Sequence, residues 1–451
     1  MHSCYPVLAT AVIFTVYVSV AAFPHSMVKA ESHKETKRER LDIVKIDPSE
    51  AEANGAEGAV EGDMMMAPEQ KQEYESHLID VEHSEQSSID VKSKRKAVNL
   101  DKYNIWPNAT IPYIFHSLSP NVRPQVEKAI TLWEEKTCLR FVPFPSNRVS
   151  HSGRVEFIDG NGCWSNMAFT GGSQKISLDR EKCTSVSVAL HEIGHTLGLF
   201  HEQSRPDRDR YVTVHLENVE EGMQHNFNKR DFAEVNTHRI PYDISSVMHY
   251  GPKSFSKDGS YTMQSIDPDK QPSMGKQKFL TFLDHKMANI LYKCNEHCTN
   301  DLYCLYGGYT GPRCRCVCPH GFSGDNCEEI ISKSACGGKI TKSQGTFSTP
   351  NYPDDYDDNT QCTWFLEAPS GHVVSVKFEN FHMEFSKRCS FDRIEVRPDQ
   401  PYYDGYPIRY CGFDLMGQTL VSVHNTMYIN FTSDYSVTMP GFRASYQFIP
   451  I

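Results

Sequence analysis

The chain has 451 residues and a formal net charge of −11, from 46 lysines and arginines against 57 aspartates and glutamates. A chain of this length is expected to fold into two to four domains. The acidic balance argues against a nucleic-acid partner, because such proteins usually present a basic surface to the phosphate groups.

A secretory signal peptide is predicted at residues 1–22. Val7 to Val20 form an apolar run that is short for a membrane span, and small residues suited to cleavage follow at Ala21 and Ala22. A short membrane anchor is the alternative, since no lysine or arginine precedes the run. No later stretch is long and apolar enough to cross a bilayer, so we expect a secreted, extracellular chain with no membrane span once mature.

Cysteine usage supports this compartment. Of the 15 cysteines, Cys4 lies in the predicted signal peptide and 14 remain. An even number in a secreted chain predicts seven disulfides. No pair of CxxC units occurs, which excludes a zinc-ribbon interpretation of these cysteines.

Residues 23–96 are expected to form a propeptide. The segment has no cysteine or tryptophan and few aromatic residues, so it cannot bury a core of its own. It ends in a basic run, Lys92 to Lys96, which suits an activating protease that cuts at Lys96–Ala97; a cut after Arg95 stays open. The alternative is a disordered spacer that remains attached.

The next segment, residues 97–295, predicts a domain with both helices and strands. Ser119 and Pro120 suit the start of a helix, because serine caps free backbone N–H groups and proline has none. A second helix is predicted from Thr184 to Leu197, and a capping box at Thr281 predicts a third. Short strands are predicted at Val155–Ile158 and Lys175–Leu178.

Three histidines and a glutamate stand within the run HEIGHTLGLFH. His191 and His195 are four residues apart, so on a helix both rings leave one face and can share a metal ion. Glu192 points about 100° away, where it can hold a water molecule. Gly198 can adopt positive φ and end the helix, which brings in His201. Three protein ligands and an open position are typical of a catalytic zinc ion.

An amphipathic helix with surface histidines is the alternative for a bare HExxH. The third histidine and a distant methionine-containing turn, Ser246–Tyr250 (SVMHY), argue against it. Together with the run His191–Arg208, this turn resembles the astacin family of zinc endopeptidases, which are metzincins. Leu199 stands where the family usually has phenylalanine, an apolar exchange without chemical consequence.

The resemblance implies an α+β fold: a two-lobed metzincin catalytic domain with an active-site helix, at residues 97–295. It implies one Zn²⁺ per catalytic domain, with Glu192 as general base. Tyr250 would be a fifth zinc ligand at rest and would hydrogen-bond the oxyanion during the reaction. Met248 would pack beneath the histidines as an apolar floor.

A latency switch is also implied by the resemblance. Astacin zymogens carry a Phe-x-Gly-Asp segment whose aspartate binds the zinc ion, and this chain has Val60-Glu61-Gly62-Asp63. Gly62 and Asp63 match, while Val60 replaces the phenylalanine. Asp63 is therefore expected to ligate zinc in the zymogen. The alternative is an ordinary Gly-Asp turn.

Residues 296–328 resemble an EGF-like module, through Cys316-x-Cys318-x-x-Gly321-Phe322-x-Gly324-x-x-Cys327. Spacing alone leaves 15 connectivities among six cysteines. The module lacks the acidic residues that calcium-binding EGF modules show before the first cysteine, so no calcium is expected here.

Residues 336–448 alternate apolar and aromatic runs, which predicts an all-β sandwich. The segment resembles a CUB domain through Cys336-Gly337-Gly338, Tyr352-Pro353, Cys389-x-Phe391-Asp392 and Cys411-Gly412. The resemblance implies a Ca²⁺ site at Glu384, Asp392 and Asp434. Ordinary exposed acids at loop tips are the alternative.

The resemblances to the three domain types also imply the disulfides. The implied pairs are Cys138–Cys294, Cys163–Cys183, Cys298–Cys314, Cys304–Cys316, Cys318–Cys327, Cys336–Cys362 and Cys389–Cys411. Two glycosylation sequons begin at Asn108 and Asn430.

The function expected from the sequence is that of a secreted zinc-dependent endopeptidase, made as a zymogen and acting on extracellular proteins. The domain order is similar to that of nematode astacins and hatching-type proteases, which implies matrix, cuticle or egg-envelope substrates. A catalytically silent secreted binding protein, acting through its EGF-like and CUB modules, is one alternative, and a structural matrix component is another.

Overall fold

The computed structural model describes residues 59–71 (without Glu69), 97–98, 104–146, 151–231, 235–276, 278–300, 302–398 and 408–451. They belong to one compact unit, Ile46–Ile451. The predicted signal peptide, most of the predicted propeptide and Lys96 lie outside the described residues. Among the residues described, no helix has the length and apolar character needed to cross a membrane.

Three α-helices occur in the described residues of the first domain: α1 Arg123–Glu135, α2 Val186–Thr196 and α3 Phe282–Leu291. Helix α2 is capped by Ser185, whose side chain accepts a hydrogen bond from the backbone N–H of Val188. Helix α3 has the predicted capping box between Thr281 and Asp284.

The predicted start of α1 was wrong. The helix begins at Arg123 after Val122, and no side chain caps it. The carbonyl of Ser119 instead accepts hydrogen bonds from the backbone N–H groups of Val122 and Arg123, at 3.0 and 3.1 Å, in a preceding turn. Proline at the second helical position, Pro124, lacks an N–H group that would otherwise need a cap.

In the described residues, ten short strands belong to the first domain and to the predicted propeptide segment that contacts it. They are β1 Met64–Met65, β2 Ala97–Val98, β3 Thr110–Phe115, β4 Arg140–Pro143, β5 Arg154–Ile158, β6 Cys163–Asn166, β7 Ser173–Leu178, β8 Val212–Val214, β9 Val235–Asn236 and β10 Met263–Ser265.

The main sheet has the order β1-β6-β7-β5-β3-β4. Strands β7, β5, β3 and β4 run parallel, whereas β6 is antiparallel to β7. Strand β1, from the predicted propeptide, adds to the outer edge of β6 in parallel orientation. An exposed sheet edge can bind an extended peptide through main-chain hydrogen bonds, and here residues 64–65 occupy that edge.

Two buried tryptophans attach α2 to the rest of the first domain. The indole of Trp106 donates to the carbonyl of Thr196 at 2.9 Å, and that of Trp133 on α1 donates to the carbonyl of Leu190 at 3.3 Å. Both rings are almost fully buried in the core that joins the helices to the sheet. These two hydrogen bonds thus fix helix α2 near its middle and at its end.

A second lobe follows α2. Strands β8 and β10 pair with each other, as do β2 and β9, and a separate apolar cluster centred on Val212, Phe227 and Tyr242 fills this lobe. Helix α3 returns to the core of the first lobe.

The disulfide-rich segment contains β11 Tyr309–Thr310, β12 Cys316–Val317, β13 Phe322–Ser323 and β14 Glu329–Ile330, in two small hairpins. It docks on α3. The Tyr309 ring lies 5.5 Å from that of Phe282, and its hydroxyl accepts a hydrogen bond from the Asn289 amide at 3.1 Å. On its other side, Phe322 packs with Phe365 and Tyr428 of the last domain.

The last domain is a sandwich of two sheets, with orders β15-β17-β22-β19-β20 and β16-β23-β18-β21. Aromatic and aliphatic side chains from both sheets fill the space between them. Its strands are β15 Gly337–Ile340, β16 Gln344–Ser348, β17 Gln361–Glu367, β18 His372–His382, β19 Arg393–Arg397, β20 Ile408–Tyr410, β21 Thr419–Val421, β22 Thr426–Thr432 and β23 Gly441–Pro450. The predicted fold class is confirmed.

Seven disulfides are formed in the described residues, and they are the pairs that the resemblances imply. They join Cys138–Cys294, Cys163–Cys183, Cys298–Cys314, Cys304–Cys316, Cys318–Cys327, Cys336–Cys362 and Cys389–Cys411.

Candidate metal centre

The three histidines converge because the chain turns sharply after α2. His191 and His195 lie on one face of the helix, which ends at Thr196. Gly198 follows with a φ of +99°, a backbone conformation that favours glycine. The reversal brings His201 to the same point.

The side-chain Nε2 atoms of the histidines lie close together. His191 Nε2 is 3.0 Å from His195 Nε2 and 3.2 Å from His201 Nε2. Asp63, from the predicted propeptide, completes the group, with carboxylate oxygens 3.1, 3.5 and 3.2 Å from the Nε2 atoms of His191, His195 and His201.

These separations fit a zinc ion. Four ligand atoms at zinc–ligand distances of about 2.0–2.2 Å, arranged as a tetrahedron, lie roughly 3.3–3.6 Å from one another. The donor set, three imidazoles and one carboxylate, is one that zinc accepts. The ligand atoms of all four residues lie within 4.8 Å of one another.

Each histidine is oriented through its other ring nitrogen. His191 Nδ1 is 2.7 Å from the carbonyl oxygen of Val247, and His195 Nδ1 is 2.8 Å from that of Leu199. His201 Nδ1 is 2.9 Å from a carboxylate oxygen of Glu61. Oxygen acceptors at Nδ1 place the ring proton there, which leaves Nε2 free to bind a metal.

The electrostatics of the group favour a positive charge between the rings. Burial lowers the pKa of His195 to about 4, so this ring is neutral at neutral pH. Burial also acts against His201, but Asp63 and Glu61 raise its pKa to about 9. Burial would raise the pKa of Asp63, yet the neighbouring histidines hold it well below its usual range. A cation bound between the Nε2 atoms would also compensate the Asp63 carboxylate.

Glu192 is buried beside this group, at 2% exposure. Its Oε2 atom finds no hydrogen-bond partner among the described residues. Burial and the negative charge of Asp63 raise the pKa of Glu192 well above its usual value. A carboxyl group in such surroundings is suited to exchange a proton with a reacting molecule.

Tyr250 contacts the segment predicted as the propeptide. Its hydroxyl donates a hydrogen bond to the main-chain carbonyl of Glu61, and its ring lies 4.5 Å from that of His201. The expected role of Tyr250 as a zinc ligand concerns the resting mature enzyme, so it stays a prediction. In this structure the hydroxyl is engaged by the main-chain carbonyl of Glu61.

Met248 is fully buried under the helix that carries the histidines. A Cβ atom added at Gly194 would stand 2.5 Å from the Met248 sulfur, closer than packed atoms allow. The contact explains why a glycine lies between the two histidines of α2. Sequence reasoning did not assign a role to this glycine.

Comparisons with known proteins agree with this geometry. A family model for the astacin family of peptidases matches residues 98–293, and a CUB domain model matches residues 336–446. Zinc metalloproteinase dpy-31 of Haemonchus contortus is 35% identical over 437 residues, which are 94% of this chain and 76% of that protein. The chain belongs to the astacin family.

Other relatives extend beyond this chain. Protein SpAN of Strongylocentrotus purpuratus is 36% identical over 419 residues, 91% of this chain and 66% of that protein. Blastula protease 10 of Paracentrotus lividus is 36% identical over 86% of this chain and 64% of its own length. The chain thus spans slightly less than two thirds of these two relatives. A solved structure, the hatching enzyme zinc-protease HCE-1 of Oryzias latipes, is 33% identical over 42% of this chain and 94% of its own, with a TM-score of 0.38.

Membership of the astacin family makes the first domain that of a metallopeptidase, a hydrolase acting on peptide bonds, and the Haemonchus contortus relative is named a zinc metalloproteinase. The match for the CUB domain begins at Cys336, so the disulfide-rich segment lies between the two matched regions. Its identification as EGF-like stays a prediction.

Two residues of this astacin centre were missed by sequence reasoning. Glu61 is nearly fully buried, and its Oε1 atom lies 2.8 Å from the guanidinium Nη2 of Arg230. Burial would raise the pKa of Glu61, but Arg230 and His201 lower it. No local pattern signals a pair so distant in the chain.

The predicted calcium ligands of the CUB domain are brought together. Ligand oxygens of Glu384, Asp392 and Asp434 lie within 4.8 Å of one another. Asp392 is fully buried, accepts a hydrogen bond from the Tyr356 hydroxyl, and accepts another from the backbone N–H of Asp434 at 2.7 Å. Burial raises the pKa values of Glu384 and Asp392, and carboxylate neighbours add to the shift.

The two sequons differ in the structure. Asn108 is exposed, at a turn with a φ of +54°. Asn430 was predicted as a glycosylation site, but it lies inside β22 at 4% exposure. Its amide oxygen accepts a hydrogen bond from the Thr363 hydroxyl at 3.1 Å. This burial argues against Asn430 as a glycan acceptor in the folded domain, and glycosylation at both sequons stays a prediction.

Proposed function

We propose that the chain is a secreted zinc-dependent endopeptidase, made as a zymogen, that hydrolyses peptide bonds in extracellular proteins. The observation that carries the proposal is the convergence of His191, His195 and His201 on one point, with Asp63 of the propeptide at the fourth position. The alternative of a silent binding protein is disfavoured, because Glu192 and Tyr250 also stand at this point.

Zinc, when bound by the three histidines, would lower the pKa of a water molecule and polarise the scissile carbonyl. Glu192 would accept the proton of the attacking water and later deliver it to the leaving amine. Its burial and its Oε2 atom, which has no hydrogen-bond partner in the described chain, suit both steps. The Tyr250 hydroxyl would donate a hydrogen bond to the oxyanion, as it now does to a peptide carbonyl.

Substrate would bind along the edge strand that the propeptide now covers. The backbone N–H of Ser165 donates to the carbonyl of Asp63 at 2.9 Å, and that of Met167 donates to the carbonyl of Met65 at 3.0 Å. When the propeptide leaves after a cut at Lys96–Ala97, these donors become available to an extended substrate segment.

The test is Glu192→Gln in the cut chain. We expect the variant to bind zinc with the same stoichiometry and to lose roughly 10²–10⁴-fold in kcat, because only proton transfer is removed. Metal content, the circular dichroism spectrum and the rate of peptide cleavage are measured on one sample. Near-normal turnover in a folded, zinc-loaded variant would contradict the role of Glu192 as general base.

The natural substrates are proposed from the named relatives. HCE-1 is called a hatching enzyme, and Blastula protease 10 is named for an embryonic stage. Matrix, cuticle or egg-envelope proteins are the corresponding substrate class for this chain. The EGF-like and CUB modules would dock such partners.

A Ca²⁺ ion in the CUB domain is part of the proposal. Three converging carboxylates, two of them with raised pKa values, gain from a hard cation. Calcium is expected to raise the melting temperature of the chain, and Glu384→Gln should abolish most of that rise. The exposed Glu379, which pairs with Arg443, gives the control Glu379→Gln. An equal calcium-induced rise in Glu384→Gln would contradict the site.

A further inference from the structure

The carboxylate of Glu61 lies in a buried pocket made by the catalytic domain. Its Oε2 atom accepts hydrogen bonds from Ser204 Oγ at 2.6 Å and from His201 Nδ1 at 2.9 Å. Its Oε1 atom pairs with Arg230 Nη2 at 2.8 Å. Glu61 is 1% exposed and Arg230 is 3% exposed.

The pocket is built from side chains that are themselves fixed. The Arg230 guanidinium stacks over the Phe200 ring, 3.8 Å from the ring centroid. The backbone N–H of Arg230 donates a hydrogen bond to the Ser204 carbonyl at 2.7 Å. Ser204 and Phe200 are both nearly fully buried. A cation and two hydrogen-bond donors thus point at one carboxylate that solvent does not reach.

Such an arrangement has a large energetic consequence when one partner is removed. A carboxylate taken out of water requires compensation by hydrogen bonds and an opposite charge. Removal of one partner of a buried, hydrogen-bonded charge pair leaves the other uncompensated. Loss of the Glu61 carboxylate is therefore expected to weaken binding of the propeptide more than loss of a surface contact would.

We propose that Arg230, Ser204 and His201 form a carboxylate-binding site beside the metal centre, and that its ligand is the side chain of Glu61. Latency then depends on two carboxylates: Asp63 at the metal position and Glu61 in this second site. The inference rests on the proposed zymogen function.

The second site also connects to both groups expected to act on substrate. Glu61 holds the Nδ1 atom of the third histidine, His201, through its side chain. Its main-chain carbonyl accepts the hydrogen bond of the Tyr250 hydroxyl. Departure of Glu61 therefore releases a histidine and a tyrosine together, whereas departure of Asp63 opens only the metal position.

The test measures binding rather than activity, so that it does not depend on catalysis. A fluorescein-labelled peptide covering residues 59–71 is titrated with the zinc-loaded chain, cut after Lys96 and freed of its propeptide. Its Kd is measured by fluorescence anisotropy. Peptides with Glu61→Gln and Asp63→Asn are compared, and Glu69→Gln reports the loss of one negative charge elsewhere in the peptide.

We expect Glu61→Gln to weaken binding roughly 30-fold or more, because a buried ion pair loses one member. Arg230→Gln in the protein should weaken binding of the native peptide by a similar factor but change binding of the Glu61→Gln peptide little. Arg230→Lys keeps the charge and should recover part of the loss. Ser204→Ala is a second, smaller variant that should weaken only the native peptide.

Equal affinity of the native and Glu61→Gln peptides would overturn the proposal. So would an Arg230→Gln effect of the same size on both peptides, since that would show that the two residues act independently. The proposed function fails separately, if the cut chain cleaves no peptide while the coupling between Glu61 and Arg230 is still measured.

Discussion

The carboxylate of Asp284 accepts a hydrogen bond from the backbone N–H of Val247, at 3.2 Å, and Val247 in turn holds the ring of His191 through its carbonyl. Asp284 also accepts from the Ser246 hydroxyl at 2.6 Å, and it belongs to the capping box of α3. One carboxylate thus fixes both the start of a helix and the turn that orients a metal ligand.

Replacement of Asp284 by alanine is expected to weaken zinc binding by His191. The Ser246–Val247 turn loses its anchor, so His191 should hold zinc less firmly; loss of a partner behind a metal ligand typically costs 10–100-fold in metal affinity or activity. Zinc release to a chelator is the measurement. Thr281→Ala is the control, since it removes the side-chain cap of α3. It leaves the hydrogen bonds that the Asp284 carboxylate accepts from Ser246 and Val247. Equal zinc release from both variants would contradict this role.

Gly194→Ala should destabilise the zinc centre, although alanine usually favours a helix over glycine by about 0.5–1 kcal/mol. The new Cβ would meet the Met248 sulfur at 2.5 Å, and overpacking of this kind typically costs about 1–3 kcal/mol. Urea unfolding of the zinc-loaded chain measures the change. The control Gly172→Ala places its Cβ in open space. If Gly194→Ala is as stable as the native chain, Met248 is not the tight floor described above.

Tyr250→Phe should lower kcat of the cut enzyme by roughly 10²–10³-fold and leave KM nearly unchanged, because the hydroxyl would act on charge that develops only in the transition state. Steady-state kinetics on a peptide substrate make the distinction. Tyr242→Phe is a matched control: this buried tyrosine bonds the His249 ring at 2.7 Å. A rise in KM with an unchanged kcat would place Tyr250 in substrate binding instead.

The fall in stability of the first domain at acidic pH should depend on His285. Burial, with a contribution from Lys136, lowers its pKa to about 4, against roughly 6.5 in an unfolded chain. Below pH 6.5 the unfolded chain gains a proton that the folded chain does not take up until about pH 4. The free energy of unfolding therefore falls through this window by at most about 1.4 kcal/mol per pH unit from this group.

His285→Gln should flatten that slope by up to one proton, measured by urea unfolding from pH 7 to pH 4.5. The exposed His116 supplies the control His116→Gln. An unchanged slope in His285→Gln would show that this histidine does not set the acid limit.

Local patterns predicted the elements that carry the centre. The spacing of His191, His195 and His201 and the glycine at 198 depend only on helix geometry, which the structure reproduces in α2 and its end. The alternation of apolar residues in residues 336–448 predicted the sandwich strands, because strand geometry is also local. The capping box at Thr281 is likewise a local signal.

Contacts between distant segments were not predictable in this way. Helix α1 begins at Arg123, and the predicted cap residue Ser119 instead forms a turn with Val122 and Arg123. The pairs Glu61–Arg230 and Asp284–Val247 join residues far apart in the chain. The sequon at Asn430 is a three-residue pattern that contains no information about burial.

The most direct measurement is cleavage of a peptide library by the zinc-loaded chain cut at Lys96–Ala97, beside the uncut chain and cut Glu192→Ala. The account predicts cleavage that needs zinc, that appears only after the cut and that is absent from the variant. Equal cleavage by the uncut chain would contradict latency through Asp63. No cleavage by a folded, zinc-loaded, cut chain would contradict the protease itself.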